Sequence, residues 1–213
     1  MTGSGAGRGC FIALEGGEGA GKSTQARLLA EALGKRALEV VVTREPGGTQ
    51  GAEAIRTLLL DTAGDGWGIR AEALLFAAAR ADHVERLIAP ALARGAWVIC
   101  DRFLDSSRAY QGRAGGISDD DIMALHRIGS DGLLPDLTIL ITVDPEVAAA
   151  RAALRDTGGA DRIGGRPAAF HAEVAEAFAA FARTEPGRFA LIDGNGERDI
   201  TAQAVLAAVD RLP

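Results

Sequence analysis

Several features of membrane, secreted and nucleic-acid-binding proteins are missing from this sequence. No apolar run approaches the roughly 20 residues that a transmembrane helix needs. The N-terminal stretch lacks the apolar core of a signal peptide, so we expect a soluble, cytoplasmic protein with no membrane partner. The net charge of −6 argues against general binding to nucleic acid or to anionic membranes.

Cysteine is scarce as well. The two cysteines lie in apolar, strand-like runs, where Cys10 begins its run and Cys100 ends another. Parallel strands would place the two thiols at opposite ends of a sheet, too far apart for a disulfide. We therefore expect two free, buried thiols.

A polar or proline-rich linker is also absent from the 213 residues, and 47% of them are hydrophobic. One sizeable core fits this composition better than two small ones. The sequence predicts a single domain over residues 9–213, preceded by a disordered, glycine-rich tail at residues 1–8.

What the chain does contain is the segment G-G-E-G-A-G-K-S at residues 16–23, which fits the phosphate-binding pattern G-x-x-x-x-G-K-[ST]. A strand-length apolar run precedes it and an amphipathic helix follows, as this motif requires. Glycines let backbone N–H groups face a phosphate, and the helix N-terminus attracts the anion. Lys22 would reach the terminal phosphates and Ser23 would ligate Mg²⁺.

Lysine itself is rare, since Lys22 and Lys35 stand against 21 arginines. A chain that prefers arginine so strongly keeps lysine where a compact ammonium suits the site better than a planar guanidinium. This supports a phosphate-binding role for Lys22.

Apolar strands alternate with helices along the whole chain. We predict strands over 10–14, 38–43, 96–100, 137–143 and 188–193. Because the strands are apolar on both faces, they favour an α/β fold with a five-stranded parallel sheet covered by helices on both sides. In the helix predicted over 50–60, Ile55, Leu58 and Leu59 are expected to face inward.

Polar clusters follow four of these strands, at 15–23, 44–45, 101–102 and Asp144. Ligands of parallel sheets bind beyond the carboxyl ends of the strands, so these clusters predict one site. Asp101 could hold Mg²⁺ or its waters, and Arg44 with Arg102 could clamp a second phosphate. The alternative for Asp101 and Arg102 is a structural ion pair.

Two further patterns each allow a functional and a structural interpretation. Phe76 and Arg80 share a helix face, where the ring could stack on a planar base and the guanidinium could donate to the carbonyl of that base. The alternative is that Phe76 is part of the core and Arg80 is solvated.

Arginines also flank the glycines of residues 151–166. This pattern suits a lid over a transferring phosphoryl group, and it also suits a solvated loop.

Four segments together resemble the thymidylate kinase family. They are residues 11–24, residues 43–49, residues 72–83, and residues 101–103 with 105–112. The resemblance implies a P-loop NTPase fold of the nucleoside monophosphate kinase type, with a short lid at about 151–166. It also implies transfer of the γ-phosphoryl group of ATP to dTMP, giving dTDP and ADP with Mg²⁺ in dTTP biosynthesis, by a homodimer.

The resemblance assigns roles to single residues. ATP would be bound by Gly16, Gly17, Glu18, Gly19, Ala20, Gly21, Lys22, Ser23 and Thr24, and the metal by Ser23 and Asp101. Arg44 and Arg102 would hold the dTMP phosphate, and Glu18 would lie near the sugar 3′-hydroxyl. The base and sugar would be contacted by Phe76, Arg80, Ser107, Tyr110 and Gln111, with Tyr110 disfavouring ribose.

Family members differ in where a catalytic arginine comes from. The phosphate loop here contains none, and Asp161-Arg162 resembles the lid signature of the bacterial type. The predicted catalytic residues are thus Lys22, Arg102 and a lid arginine, Arg155 or Arg162 before Arg151. The lid is richer in glycine than is usual, and Phe103 stands where many members carry Tyr or His.

Two other functions remain open on the sequence. A kinase for another nucleoside monophosphate, dUMP among them, would keep the phosphate chemistry and change the base pocket. The second alternative is a nucleotide-dependent switch. A guanine-specific switch needs the motif [NT]-K-x-D, which neither lysine can supply, so the sequence disfavours this alternative.

Overall fold

The structure, a computed structural model, describes residues 8–61, 65–155 and 161–212, without the side chains of residues 152–155. Within these residues, five parallel strands form one sheet in the order β2-β3-β1-β4-β5. The predicted parallel α/β sheet is confirmed. The strands are β1 (Phe11–Glu15), β2 (Val40–Arg44), β3 (Trp97–Asp101), β4 (Leu137–Thr142) and β5 (Phe189–Asp193).

Helices connect the strands. They are α1 (Lys22–Gly34), α2 (Gln50–Leu60), α3 (Ile69–His83), α4 (Ala89–Ala93), α5 (Leu104–Ser107), α6 (Asp119–Ser130), α7 (Pro145–Arg155), α8 (Ala168–Thr184) and α9 (Arg198–Val209). A π-helical segment, Val84–Ile88, joins α3 to α4, and a second, Arg108–Arg113, extends α5.

The central strand β1 shows why both faces of the sheet are apolar. Ile12 and Leu14 pack with residues of α1 and α9, among them Leu33. Phe11 and Ala13 point to the other face and pack in the core that includes Phe103. Alternate residues of a strand face opposite sides, so a strand covered on both sides must be apolar throughout.

Two expectations about burial, those for Leu58 and Cys10, are wrong. Leu58 is 51% exposed, whereas Leu59 beside it is fully buried, because only one stripe of α2 faces the protein. Val42 is 49% exposed, since β2 is an edge strand. Cys100 is a free, buried thiol as predicted, but Cys10 is only half-buried, because it precedes β1 at the rim of the sheet.

Residues 1–7 of the predicted tail lie outside the described residues, while Arg8 forms an ion pair with Asp136 at 2.8 Å. In the part of the chain that is described, no helix has the length and apolar character needed to cross a membrane.

Candidate active site

The predicted phosphate loop lies between β1 and α1. Gly16 needs to be glycine, because its φ is +141° and an added Cβ would lie 2.3 Å from the carbonyl oxygen of Ile141. Lys22 begins α1, and its ammonium donates to the carbonyls of Gly16 and Gly17, at 3.1 and 2.7 Å. Burial, aided by the nearby charge of Arg102, lowers the pKa of Lys22 to about 8. The loop thus holds a buried ammonium among its own carbonyls.

Ser23 and Asp101 lie in direct contact, as the hydroxyl of Ser23 donates to the carboxylate of Asp101. One follows the phosphate loop and the other ends β3, so the parallel sheet brings them together. Among the described residues, no group of three or more His, Cys, Asp or Glu side chains could hold a metal. A hydroxyl–carboxylate pair still fits Mg²⁺, which takes few protein ligands and completes its shell with phosphate oxygens and water.

Arg102 follows β3 in a left-handed backbone conformation, with φ of +69°. Its guanidinium donates to the Gly16 carbonyl at 3.2 Å and to Ser106 Oγ at 3.1 Å, pairs with Glu18, and lies 5.2 Å from the Tyr110 ring centre. A non-glycine residue in this region is strained and needs support from its surroundings.

Glu15 supplies part of that support. Its buried carboxylate accepts the N–H of Phe103 at 2.8 Å, the N–H of Ser106 at 3.1 Å and the Ser106 hydroxyl at 2.7 Å. Burial, and secondarily the charge of Asp105, raises the pKa of Glu15 to about 7. Glu15 therefore holds the turn that positions Arg102.

A cleft of about 340 Å³ opens beside the phosphate loop, and we call it the main cleft because nine predicted site residues line it. The nine residues are Glu18, Ser23, Arg44, Phe76, Asp101, Arg102, Ser107, Tyr110 and Gln111. Three of the four predicted polar clusters therefore meet at one place. Asp144, from the fourth, does not line this cleft; it is exposed, and its N–H donates to Asn195.

Arg44 and Arg56 bring two more cations to the main cleft. Arg44 pairs with Glu53 at 2.9 Å, and an N–H bond from Gly48 is the main reason that the pKa of Glu53 is low. Arg56 donates to the Pro46 carbonyl at 2.7 Å. The sequence analysis missed Arg56. Arg56 lies on the same stripe of α2 as the buried Leu59, and this position was a signal that its side chain faces the protein.

Arg80 is only 3% exposed. The alternative in which Arg80 is solvated is therefore wrong. Arg80 donates to Glu45 and to Ser107, both at 2.8 Å, and these two residues line the main cleft. Glu45 also bonds the buried His83 at 3.0 Å. Arg80 thus lies next to the cleft wall, while Phe76 is part of it.

Two of the predicted lid arginines, Arg151 and Arg162, lie in different places. The side chain of Arg155 is outside the described residues. Arg162 Nε donates to the carbonyl of Asp61 at 2.6 Å, whereas its neighbours Asp161 and Ile163 line the main cleft. Arg151 borders a second cleft of about 210 Å³ on the other side of the phosphate loop, lined also by Ala20, Gly21, Thr24, Gln25, Gly194, Gly196, Arg198 and Thr201.

A phosphate loop at the end of the central strand, with an arginine-lined cleft beside it, defines a phosphotransferase of the P-loop NTPase fold. A family model described as thymidylate kinase matches residues 14–205, and the chain belongs to the thymidylate kinase family.

Individual proteins agree with this assignment. The chain is 56% identical to a thymidylate kinase of Rhizorhabdus wittichii, over 96% of this chain and 99% of the relative. It is 53% identical to one of Rhodopseudomonas palustris, over 95% and 89% of the two chains. The crystal structure of thymidylate kinase from Ehrlichia chaffeensis superposes with a TM-score of 0.77 at 33% identity, covering 95% of this chain and 99% of that one. The chain is therefore an ATP-dependent nucleotide kinase that phosphorylates dTMP.

Proposed function

We propose that the main cleft holds dTMP and that the phosphate loop holds the triphosphate of ATP. The observation that carries this proposal is the position of Arg102. Its guanidinium contacts the Gly16 carbonyl of the phosphate loop and also Ser106 and Tyr110 of the main cleft. A cation between the two sites suits a reaction in which a phosphoryl group passes from one to the other.

On the donor side, the backbone of residues 16–24 would cradle the ATP phosphates and Lys22 would neutralise the terminal ones. Ser23 and Asp101 would hold Mg²⁺, Asp101 through water. Bound Mg²⁺ supplies charge neutralisation at the phosphoryl oxygens. The second cleft adjoins the loop at Thr24, so we assign the nucleoside of ATP to it, between Arg151 and Arg198.

On the acceptor side, the dTMP phosphate would lie between Arg102 and Arg44, with Arg56 as a third cation of the same cleft. Phe76 would stack on thymine. Arg80 would stabilise the base carbonyl from its place next to Ser107, and Tyr110 would lie against the sugar.

The mechanism that follows depends on positioning and on charge. A phosphate monoester is already ionised near pH 7 and can attack without a strong base. Lys22, Arg102 and a lid arginine would neutralise the loose transition state. Arg155 and Arg162 stay candidates for the lid role, and Arg162 would need to leave the carbonyl of Asp61 to reach the phosphates.

The base assignment is tested by ADP release from Mg-ATP with dTMP, dUMP, dCMP, dGMP, UMP and AMP as acceptors. We expect a strong preference for dTMP, because Phe76, Arg80 and Tyr110 suit thymine on deoxyribose. A preference for another monophosphate would remove these three roles and leave the phosphate chemistry in place.

We also propose that the protein works as a cytoplasmic homodimer with a single domain per chain. Leu74 on α3 is 57% exposed and Ile128 on α6 is 84% exposed. The two helices pack closely, since a Cβ added at Gly129 would lie 3.3 Å from the Cβ of Ala81. A second copy on this face would cover both exposed side chains.

Light scattering at micromolar concentration should therefore give twice the chain mass of 22.0 kDa. Ile128→Asp should shift the mass toward that of one chain, because a buried carboxylate without a partner opposes association. Wild-type protein at 22.0 kDa would contradict the dimer.

A further inference from the structure

A buried ionic link connects Arg166, at the end of the predicted lid, to the wall of the main cleft. Glu72, on α3, is 1% exposed. One of its carboxylate oxygens accepts the amide Nε2 of Gln111 at 2.8 Å, and the other pairs with Arg166. Gln111 lines the main cleft. Arg166 lies ahead of α8, 94 positions from Glu72 in the chain.

The carboxylate decides which way the Gln111 amide points. An ionised carboxylate accepts hydrogen bonds and cannot donate them. The NH₂ group of Gln111 must therefore face Glu72, which leaves the carbonyl oxygen Oε1 as the amide's acceptor for the cleft.

An acceptor at this place distinguishes pyrimidine bases by their N3 atom. Thymine and uracil carry a hydrogen on N3 and can donate it, whereas N3 of cytosine is an acceptor. Oε1 fixed in this orientation would accept the N3–H of thymine or uracil. It would face the N3 lone pair of cytosine. Hydrogen-bond mismatches of this kind in a buried site are costly and give strong discrimination.

Arg166 holds the Glu72 carboxylate in this arrangement. It is the cation that pairs with Glu72 among the described residues, and its guanidinium lies 4.6 Å from the ring centre of Phe170. Without Arg166, the second oxygen of the buried carboxylate would lose its partner, and Glu72 would no longer be held in one orientation. The Gln111 amide could then turn its NH₂ group toward the cleft.

We propose that Glu72 and Arg166 are positioning residues that set pyrimidine specificity by fixing the orientation of the Gln111 amide. Neither residue needs to touch the substrate. Because the proposal rests on the assignment of dTMP to the main cleft, its test has to include that assignment.

The test compares kcat/KM for dTMP, dUMP and dCMP in the wild type, Arg166→Met, Glu72→Gln and Arg166→Lys. In Arg166→Met and Glu72→Gln the ratio of dTMP to dCMP should fall about tenfold or more, since one buried hydrogen bond no longer discriminates. The ratio of dTMP to dUMP should stay the same, because both bases donate from N3. Arg166→Lys keeps a cation and should keep most of the discrimination.

Arg183→Met is the matched control, because Arg183 is exposed on α8 and forms no ion pair within the described part of the chain. Equal losses of activity toward all three substrates in Arg166→Met, with unchanged ratios, would overturn the proposal and leave Arg166 a structural residue. Glu72→Gln gives the same test by an isosteric change if Arg166→Met does not fold. A wild type that does not distinguish dTMP from dCMP would instead refute the placement of the base.

Discussion

Replacing Lys22 with Met is expected to lower kcat about 10³-fold while leaving KM for dTMP nearly unchanged. The ammonium lies within the phosphate loop, against the carbonyls of Gly16 and Gly17. It would therefore act on the phosphates of ATP and on the charge of the transition state, and not on the acceptor. Steady-state kinetics with dTMP varied at saturating ATP measures both constants.

Lys35 offers a matched control, since it is the other lysine of the chain and is exposed at the end of α1. Lys35→Met should behave as the wild type. A Lys22→Met protein that retained wild-type kcat would show that phosphoryl transfer does not use the loop lysine, and the proposed donor site would have to be abandoned.

The second large effect is expected for Arg102→Met, which should lower kcat/KM for dTMP about 10³-fold through a higher KM together with a lower kcat. Its guanidinium lies between the phosphate loop and the main cleft, so its loss should weaken acceptor binding and transition-state stabilisation together. Arg102→Lys should recover little, because an ammonium cannot bridge several oxygens as a planar guanidinium does.

Arg113→Met serves as the comparison, because Arg113 is an exposed arginine at the end of the helical segment that contains Tyr110. Circular dichroism would show whether the Arg102 variants keep their helices. If kcat falls but KM for dTMP does not rise, Arg102 acts only on the transferring group, and the dTMP phosphate has to be assigned to Arg44 and Arg56.

The parts of the site predicted from the sequence are those carried by local patterns. The glycine loop, the strand ends and the helix period placed Ser23, Arg44, Phe76 and Asp101, and all four line one cleft. Parallel strands bring such residues to one edge whatever the order of the strands in the sheet. This explains why a coarse prediction of the fold was enough to bring these four residues to one cleft.

The parts that were missed depend on contacts between distant segments. The pairing of Glu72 with Arg166 joins residues 94 positions apart, and no periodicity within α3 indicates that partner. The burial of Arg80 depends in the same way on Glu45 and Ser107. Leu58 was predicted to face inward because its side chain is apolar, and the sequence of α2 alone does not show which apolar residues face solvent.

The carboxylates beside the two arginines proposed to bind phosphate would have a consequence for turnover. Arg102 is paired with Glu18, and Arg44 is paired with Glu53. A phosphate bound as proposed would therefore exchange one anionic partner of each guanidinium for another, and would not neutralise a bare cation. The same carboxylates would compete for the arginines when the diphosphate product is formed. Such an exchange would lower the free energy needed for product release, a step that limits the rate of many enzymes.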